Sequence, residues 1–227
     1  MEAELKQRKR KSFQPKWAKI MEPITDFPLF LASVVFISLS GVMMPGPVFA
    51  VTVARGYRSK VAGALIALGH GAVEFPLIFL LYFGLSEFFT STLVQKVIGV
   101  VGGSVLIYMG FQTFKTRREV KTETRHSGHA SFIAGLIATS ANPYFFVWWA
   151  TVGIALIWNA SVFGVAGLLA FATVHWLCDL AWDTFVSVTV FKSRRFWNER
   201  VFTIVFLFCF AVLVAFGLWF VTSALLW

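Results

Sequence analysis

The sequence predicts an all-α membrane protein with six transmembrane helices in two inverted three-helix repeats, the first and fourth helices broken at proline. Three observations lead there. Of 227 residues, 58% are hydrophobic and only 14% charged, where a soluble domain carries about 25% charged residues. The charges are also segregated: Phe27 to Ala54, Ala130 to Cys178 and Val201 to Trp227 hold no Asp, Glu, Lys or Arg. A run of about 20 apolar residues spans a bilayer. The third observation is a pattern that occurs twice. A long apolar stretch is interrupted by proline, at Met44-Pro45-Gly46-Pro47 and at Ala141-Asn142-Pro143. Each break precedes a second apolar stretch with a histidine and, four residues on, a carboxylate: His70 with Glu74, and His175 with Asp179. Spacing of four puts both side chains on one helix face.

Taken in order, residues 1–26 form a polar tail with a basic cluster from Lys6 to Lys11, suited to anionic lipid. Helices are expected at about 27–54, 61–86, 91–114, 131–157, 162–190 and 201–226. The charged loop 115–130 divides them into a first repeat, 27–114, and a second, 131–227. Three spans per half reverse the direction of membrane entry, so two similar halves make an inverted repeat. The chain is thus expected to be a multi-pass protein of the cytoplasmic (plasma) membrane, surrounded by lipid.

Basic residues set orientation. Arg55, Arg58 and Lys60, the loop 115–130, and Lys192, Arg194, Arg195 and Arg200 follow the odd-numbered helices, whereas the other loops hold only Lys96. The positive-inside rule puts the odd loops in the cytoplasm and both termini outside. The basic tail pulls the other way, and a re-entrant first segment turning back at Pro45-Gly46-Pro47 would reconcile the two.

The net charge of +9 resides in the tail and loops and does not indicate nucleic-acid binding. Cys178 and Cys209 lie in apolar stretches away from both breaks, which argues against a disulfide framework or a thiol–disulfide conduit. No stretch could form a soluble catalytic domain, so an enzyme is not expected, and neither is a cofactor.

Pro45 and Pro47 lack the amide proton and obstruct the preceding turn, and Gly46 loosens the chain between them. A broken helix at membrane depth must face protein or a water-filled cavity. Breaks in corresponding positions of two halves mark a transporter's binding site, and the half-helix beyond each break offers a partially positive end to a carboxylate. Packing kinks are the plainer reading. Asn142 can cap the half-helix begun by Pro143, either structurally or while also touching a ligand. Pro45, Gly46, Pro47, Asn142 and Pro143 are therefore candidate substrate-binding residues.

Glu74 and Asp179 are expensive at membrane depth and mark ion pathways or proton relays. With His70 and His175 they are candidates for proton or cation coupling. Hydrogen-bonded structural histidines are the plainer alternative. The four could also ligate a metal, although only the spacing of four suggests it, and no structural metal site is expected. Asp183, one turn beyond Asp179, reads equally as an interfacial salt bridge near Lys192. Gly63, Ala67 and Gly71, and Gly99 with Gly103, suit close helix packing. The aromatic run Phe145-Phe146-Val147-Trp148-Trp149 could line a site, but lipid contact explains most such residues.

Pro45-Gly46-Pro47, Ala54, Gly56, Ala62-Gly63, Gly69-His70 and Gly84-Leu85 resemble the first half of the lysine exporter (LysE-type) translocator family. Phe132, Gly135, Asn142-Pro143, His175, Asp179 and Trp182 resemble its second half. The resemblance spans about residues 27–227. It implies six helices and ion- or proton-coupled export of basic or small neutral amino acids, with cadmium in one branch. Val48 stands where the family usually has Asn, Glu74 replaces an Asp that follows Gly in the second helix, and Tyr144 replaces a common Lys. The chain is thus a divergent member by this resemblance. An amino acid and a coupling ion are the expected partners, and a homodimer is open. By the leading reading the half-helix ends hold the substrate carboxylate, and Glu74 and Asp179 take its ammonium or the coupling proton, in antiport. The alternative is a divalent-metal exporter using His70, Glu74, His175 and Asp179.

Overall fold

The computed structural model describes residues 23–85, 92–116 and 128–226. The basic cluster of the tail and most of the charged loop 115–130 lie outside the described residues. All regular structure among the described residues is helical.

Helix α1, Phe27–Val42, is started by Asp26, whose Oδ1 accepts the Leu29 amide at 2.8 Å, with proline in the first turn. The helix ends before Pro45-Gly46-Pro47. Helix α2, Pro47–Gly56, then begins from Gly46 in extended conformation, and its axis is turned 77° from that of α1. Helix α3, Ala62–Leu80, passes through Pro76 into a π-helical turn, Leu81–Leu85. This turn ends beyond Gly84, whose φ of 127° suits only glycine.

Helix α4 is Thr92–Thr116 and α5 is Gly128–Ser140. The second break follows, and Asn142 caps α6, Pro143–Trp148, by accepting the Tyr144 amide at 3.2 Å. A π-helical turn, Trp149–Gly153, leads into α7, Ile154–Ser161. Helix α8, Gly164–Ser193, and helix α9, Glu199–Leu226, complete the chain.

Four of these helical stretches are long and apolar enough to cross a membrane, and the bent α1–α2 pair makes a fifth. The stretch α4 is apolar only over Gly99–Gln112. Large apolar side chains face outward, Phe36 at 80% and Phe83 at 77% exposure, as lipid-facing positions should. The protein is an all-α multi-pass membrane protein.

Contacts along α8 give the direction of the first segment. Phe30 packs on Phe171 and Ser38 bonds His175, both from α1. Thr52 bonds Asp183, and Gly56 meets Ser187, both from α2. Numbers rise together on both partners, so α1 and α2, although bent 77° from one another, follow α8 in the same sense and in succession. The chain therefore does not turn back at Pro45-Gly46-Pro47, and the re-entrant alternative is not what the fold adopts. Helix α5 runs parallel to α3 in the same way, through Gly135 against Ile66 and Thr139 bonded to His70. Helices α4 and α9 pair antiparallel, Gly99 against Ala224, Gly103 against Gly217 and Phe111 against Phe210.

Close approach explains the small residues. A Cβ on Gly63 would collide with the Asp183 carbonyl, and one on Gly71 with the Trp176 indole. Trp176 Nε1 donates to the Ala67 carbonyl at 2.9 Å across the same contact. The apolar core beside the cavity comprises Phe30, Val34, Ile78, Leu81, Trp149 and Phe171, among others.

Candidate functional site

The parallel pairs α1–α8 and α3–α5 bring their histidines to one point. On α3, spacing of four aligns His70 with Glu74, and on α8 it aligns His175 with Asp179. Glu74 Oε1 lies 3.1 Å from His70 Nε2 and 3.1 Å from His175 Nε2. One carboxylate oxygen thus bridges two imidazoles from different halves of the chain. Asp179 approaches from the other side, with Oδ1 3.7 Å from His70 Nε2 and Oδ2 3.8 Å from His175 Nε2. Those separations are ionic contacts, too long for hydrogen bonds. All four residues are buried.

Each histidine is held from behind by a hydroxyl, and neither hydroxyl was singled out in the sequence. Thr139 Oγ1 lies 2.8 Å from His70 Nδ1 and donates its one proton to the Gly135 carbonyl at 2.8 Å. Where that proton serves the carbonyl, Thr139 accepts from the ring and His70 Nδ1 carries hydrogen; the same hydroxyl is also placed to donate to Nδ1 instead. If Glu74 is ionised, His70 also donates through Nε2 and is an imidazolium. His175 Nδ1 meets Ser38 Oγ at 2.7 Å. Ser38 makes no other side-chain bond among the described residues, so it can donate or accept there.

Aromatic rings complete the surround. Trp148 stacks on His175 at 5.1 Å and 22°, Trp149 meets it edge-on at 5.1 Å, and Phe145 meets His70 edge-on at 5.3 Å. The aromatic run after the second break therefore turns substantially inward, because the capped α6 presents it to the cavity. Asp183 also departs from the interfacial salt-bridge expectation. It is 4% exposed, accepts from Thr52 Oγ1 at 3.1 Å and lines the same cavity as Asp179.

That cavity measures about 90 Å³, room for a few waters or a small polar group. Its walls include Pro45, Gly46, Pro47 and Val48 of the first break, Asn142 and Tyr144 of the second, and His70, Glu74, His175 and Asp179. Pro143 opens α6 but does not line the cavity. No Lys or Arg lies among the described lining residues. Glu74 Oε2 and Asp179 Oδ2 are buried without a hydrogen-bond partner, an expensive state for a carboxylate oxygen. His70, Glu74 and Asp179 each offer a ligand atom within 4.8 Å of the others.

The site can therefore bind a cationic group, pass protons among two histidines and two acids, and offer helix-end amides to an anion. A family model described as LysE type translocator matches residues 39–224. The chain is also 29% identical over 181 residues to a Bacillus subtilis (strain 168) protein named "Putative amino acid efflux protein YcgF", an alignment covering 76% of this chain and 85% of that one. No solved structure matches it.

Proposed function

The chain belongs to the LysE type translocator family, and from that premise we propose that it exports amino acids, basic or small neutral, across the cytoplasmic membrane by proton- or ion-coupled alternating access. Six spans in two inverted three-helix repeats suit this reading. Two cross-half pairings support the repeat, Ser38 with His175 and Thr139 with His70, each tying the helix before a break to a histidine of the other half. The relative's name refers to amino acid efflux, which favours an amino acid over a divalent cation as cargo.

One observation carries the coupling: Glu74 bridges both histidines at the wall of a cavity bounded by both broken helices. A proton arriving on this cluster and a substrate cation cannot both satisfy the same buried carboxylates, so one is released as the other binds. That competition is the requirement for antiport. Remote closure would come from α1–α2 and α5–α6 moving about their breaks, where the backbone is already discontinuous.

The test is counterflow in proteoliposomes preloaded in turn with lysine, arginine, threonine, homoserine and cadmium. Exchange accelerated by an amino acid is the expected outcome, and exchange with cadmium alone would replace the amino acid by a metal as cargo. Glu74→Gln and Asp179→Asn should each abolish gradient-driven transport while leaving a folded protein. Undiminished transport in both variants would overturn the assignment of the coupling site.

A further inference from the structure

We infer that the cavity binds the zwitterionic head group of an α-amino acid in one orientation, its carboxylate on the backbone amides of Val48 and Phe49 and its ammonium on Asp179. The inference rests on the export reading and specifies which break recognises the substrate.

The two breaks are chemically unequal. At the second, Asn142 Oδ1 takes the Tyr144 amide and the Asn142 carbonyl takes the Phe145 amide, each at 3.2 Å. Pro143 has no amide proton, so the first turn of α6 has little left to give. At the first, the cap is Gly46, which has no side chain, and the first turn closes only through the Ala50 amide to the Gly46 carbonyl at 3.0 Å. The Val48 and Phe49 amides have no partner among the described residues. Both residues line the cavity, and α2 is ten residues long, enough for its positive end to act on an anion. Because Val48 is apolar, recognition there falls to the backbone.

The opposite charge is supplied independently. Asp179 Oδ2 and Glu74 Oε2 are buried without hydrogen-bond partners, and both residues line the same cavity. The register of α2 on α8 sets the level. Gly56 meets Ser187 and Thr52 bonds Asp183, a step of four on each helix. One further turn toward the N-termini brings Val48 level with Asp179. The donors and the orphaned carboxylate thus flank one small space, with no Lys or Arg among the described lining residues to bind a second anion. Asp183 is occupied by Thr52 at the neighbouring turn, which leaves Asp179 as the ammonium acceptor, backed by Glu74.

The test measures binding to the purified full-length protein in detergent by isothermal titration. The ligand is whichever of L-lysine, L-arginine, L-threonine and L-homoserine binds most tightly, alongside its methyl ester and its N-acetyl derivative. Each derivative removes one charge of the head group, and each should bind at least tenfold more weakly. Val48→Pro deletes one amide donor at a first-turn position that accepts proline. It should weaken the parent amino acid at least tenfold. A methyl ester that binds as well as the free acid would overturn the inference while leaving amino-acid export standing. No binding of any of the four amino acids to folded wild-type protein would remove the export reading and this inference together. If Val48→Pro does not fold, the two derivatives on the wild-type protein still decide.

Discussion

At residue scale the cluster is defined by which atoms can donate. The Thr139 hydroxyl has one proton and two acceptors at 2.8 Å, the Gly135 carbonyl and His70 Nδ1, and donating to the carbonyl makes it accept Nδ1–H. His175 has no such constraint, because the Ser38 hydroxyl is free to turn. The two halves thus hold chemically similar histidines under different rules. With Thr139 donating to the carbonyl, selective ¹⁵N-histidine labelling should show hydrogen on His70 Nδ1. Thr139→Val should release that fixed state, with a changed Nδ1 shift for His70 and none for His175. A His70 found with hydrogen on Nε2 alone would contradict the network. The i, i+4 acid–histidine pairs were legible in sequence from spacing. Ser38 and Thr139 were not, since an apolar helix carries many hydroxyls that bond their own backbone, as Ser33, Ser40 and Thr151 do here.

At element scale, helix contacts depend on missing side chains. Gly135 sits where a Cβ would strike the Ile66 backbone, and Gly63 where one would strike the Asp183 carbonyl. Both contacts lie within a few residues of the cluster, so widening either would move His70 or Asp183 as well. Gly135→Val should destabilise the protein by about 1–3 kcal/mol through overpacking, lowering the thermal midpoint and the transport rate together. By contrast, a substitution of lipid-facing Phe36 by Leu should leave both near wild type. The proline breaks were readable because proline excludes helix continuation wherever it falls. The π-helical turns at Leu81–Leu85 and Trp149–Gly153 left no comparable mark, because the same kinds of residue, Gly71 and Val73 among them, also sit in regular helix here, so packing chooses the wider turn.

At the scale of the whole molecule, the course of α1 and α2 along α8 gives the sidedness of the first segment. Ile24 donates its amide to Asn159 Oδ1 at 3.1 Å, near the start of α8, whereas the Lys60 carbonyl accepts from Ser187 near its end. Arg58 and Lys60 therefore sit at the same end as Lys192, Arg194 and Arg195, and the positive-inside rule assigns that end to the cytoplasm. Ile24→Cys and Ser59→Cys, in a background lacking Cys178 and Cys209, should react with an impermeant maleimide from opposite faces of the membrane. Labelling of both from one face would mean that the first segment does turn back. Labelling from opposite faces would mean that the loops sharing the cytoplasmic end outweigh the opposing charge of the N-terminal sequence in setting orientation.

Composition, the charge-free runs and the two proline breaks were enough to read an all-α membrane protein and to pick out both acid–histidine pairs. These are local properties: hydrophobic length, missing amide protons and helical periodicity act within a few residues of one another. The chain order could not reveal that Glu74 touches His175 as closely as His70, that Asp183 turns inward, or that the first break leaves two amides without partners among the described residues while the second consumes its own. Those depend on helices from different halves lying parallel in one register, and glycines at the crossings let them approach near enough for the register to hold.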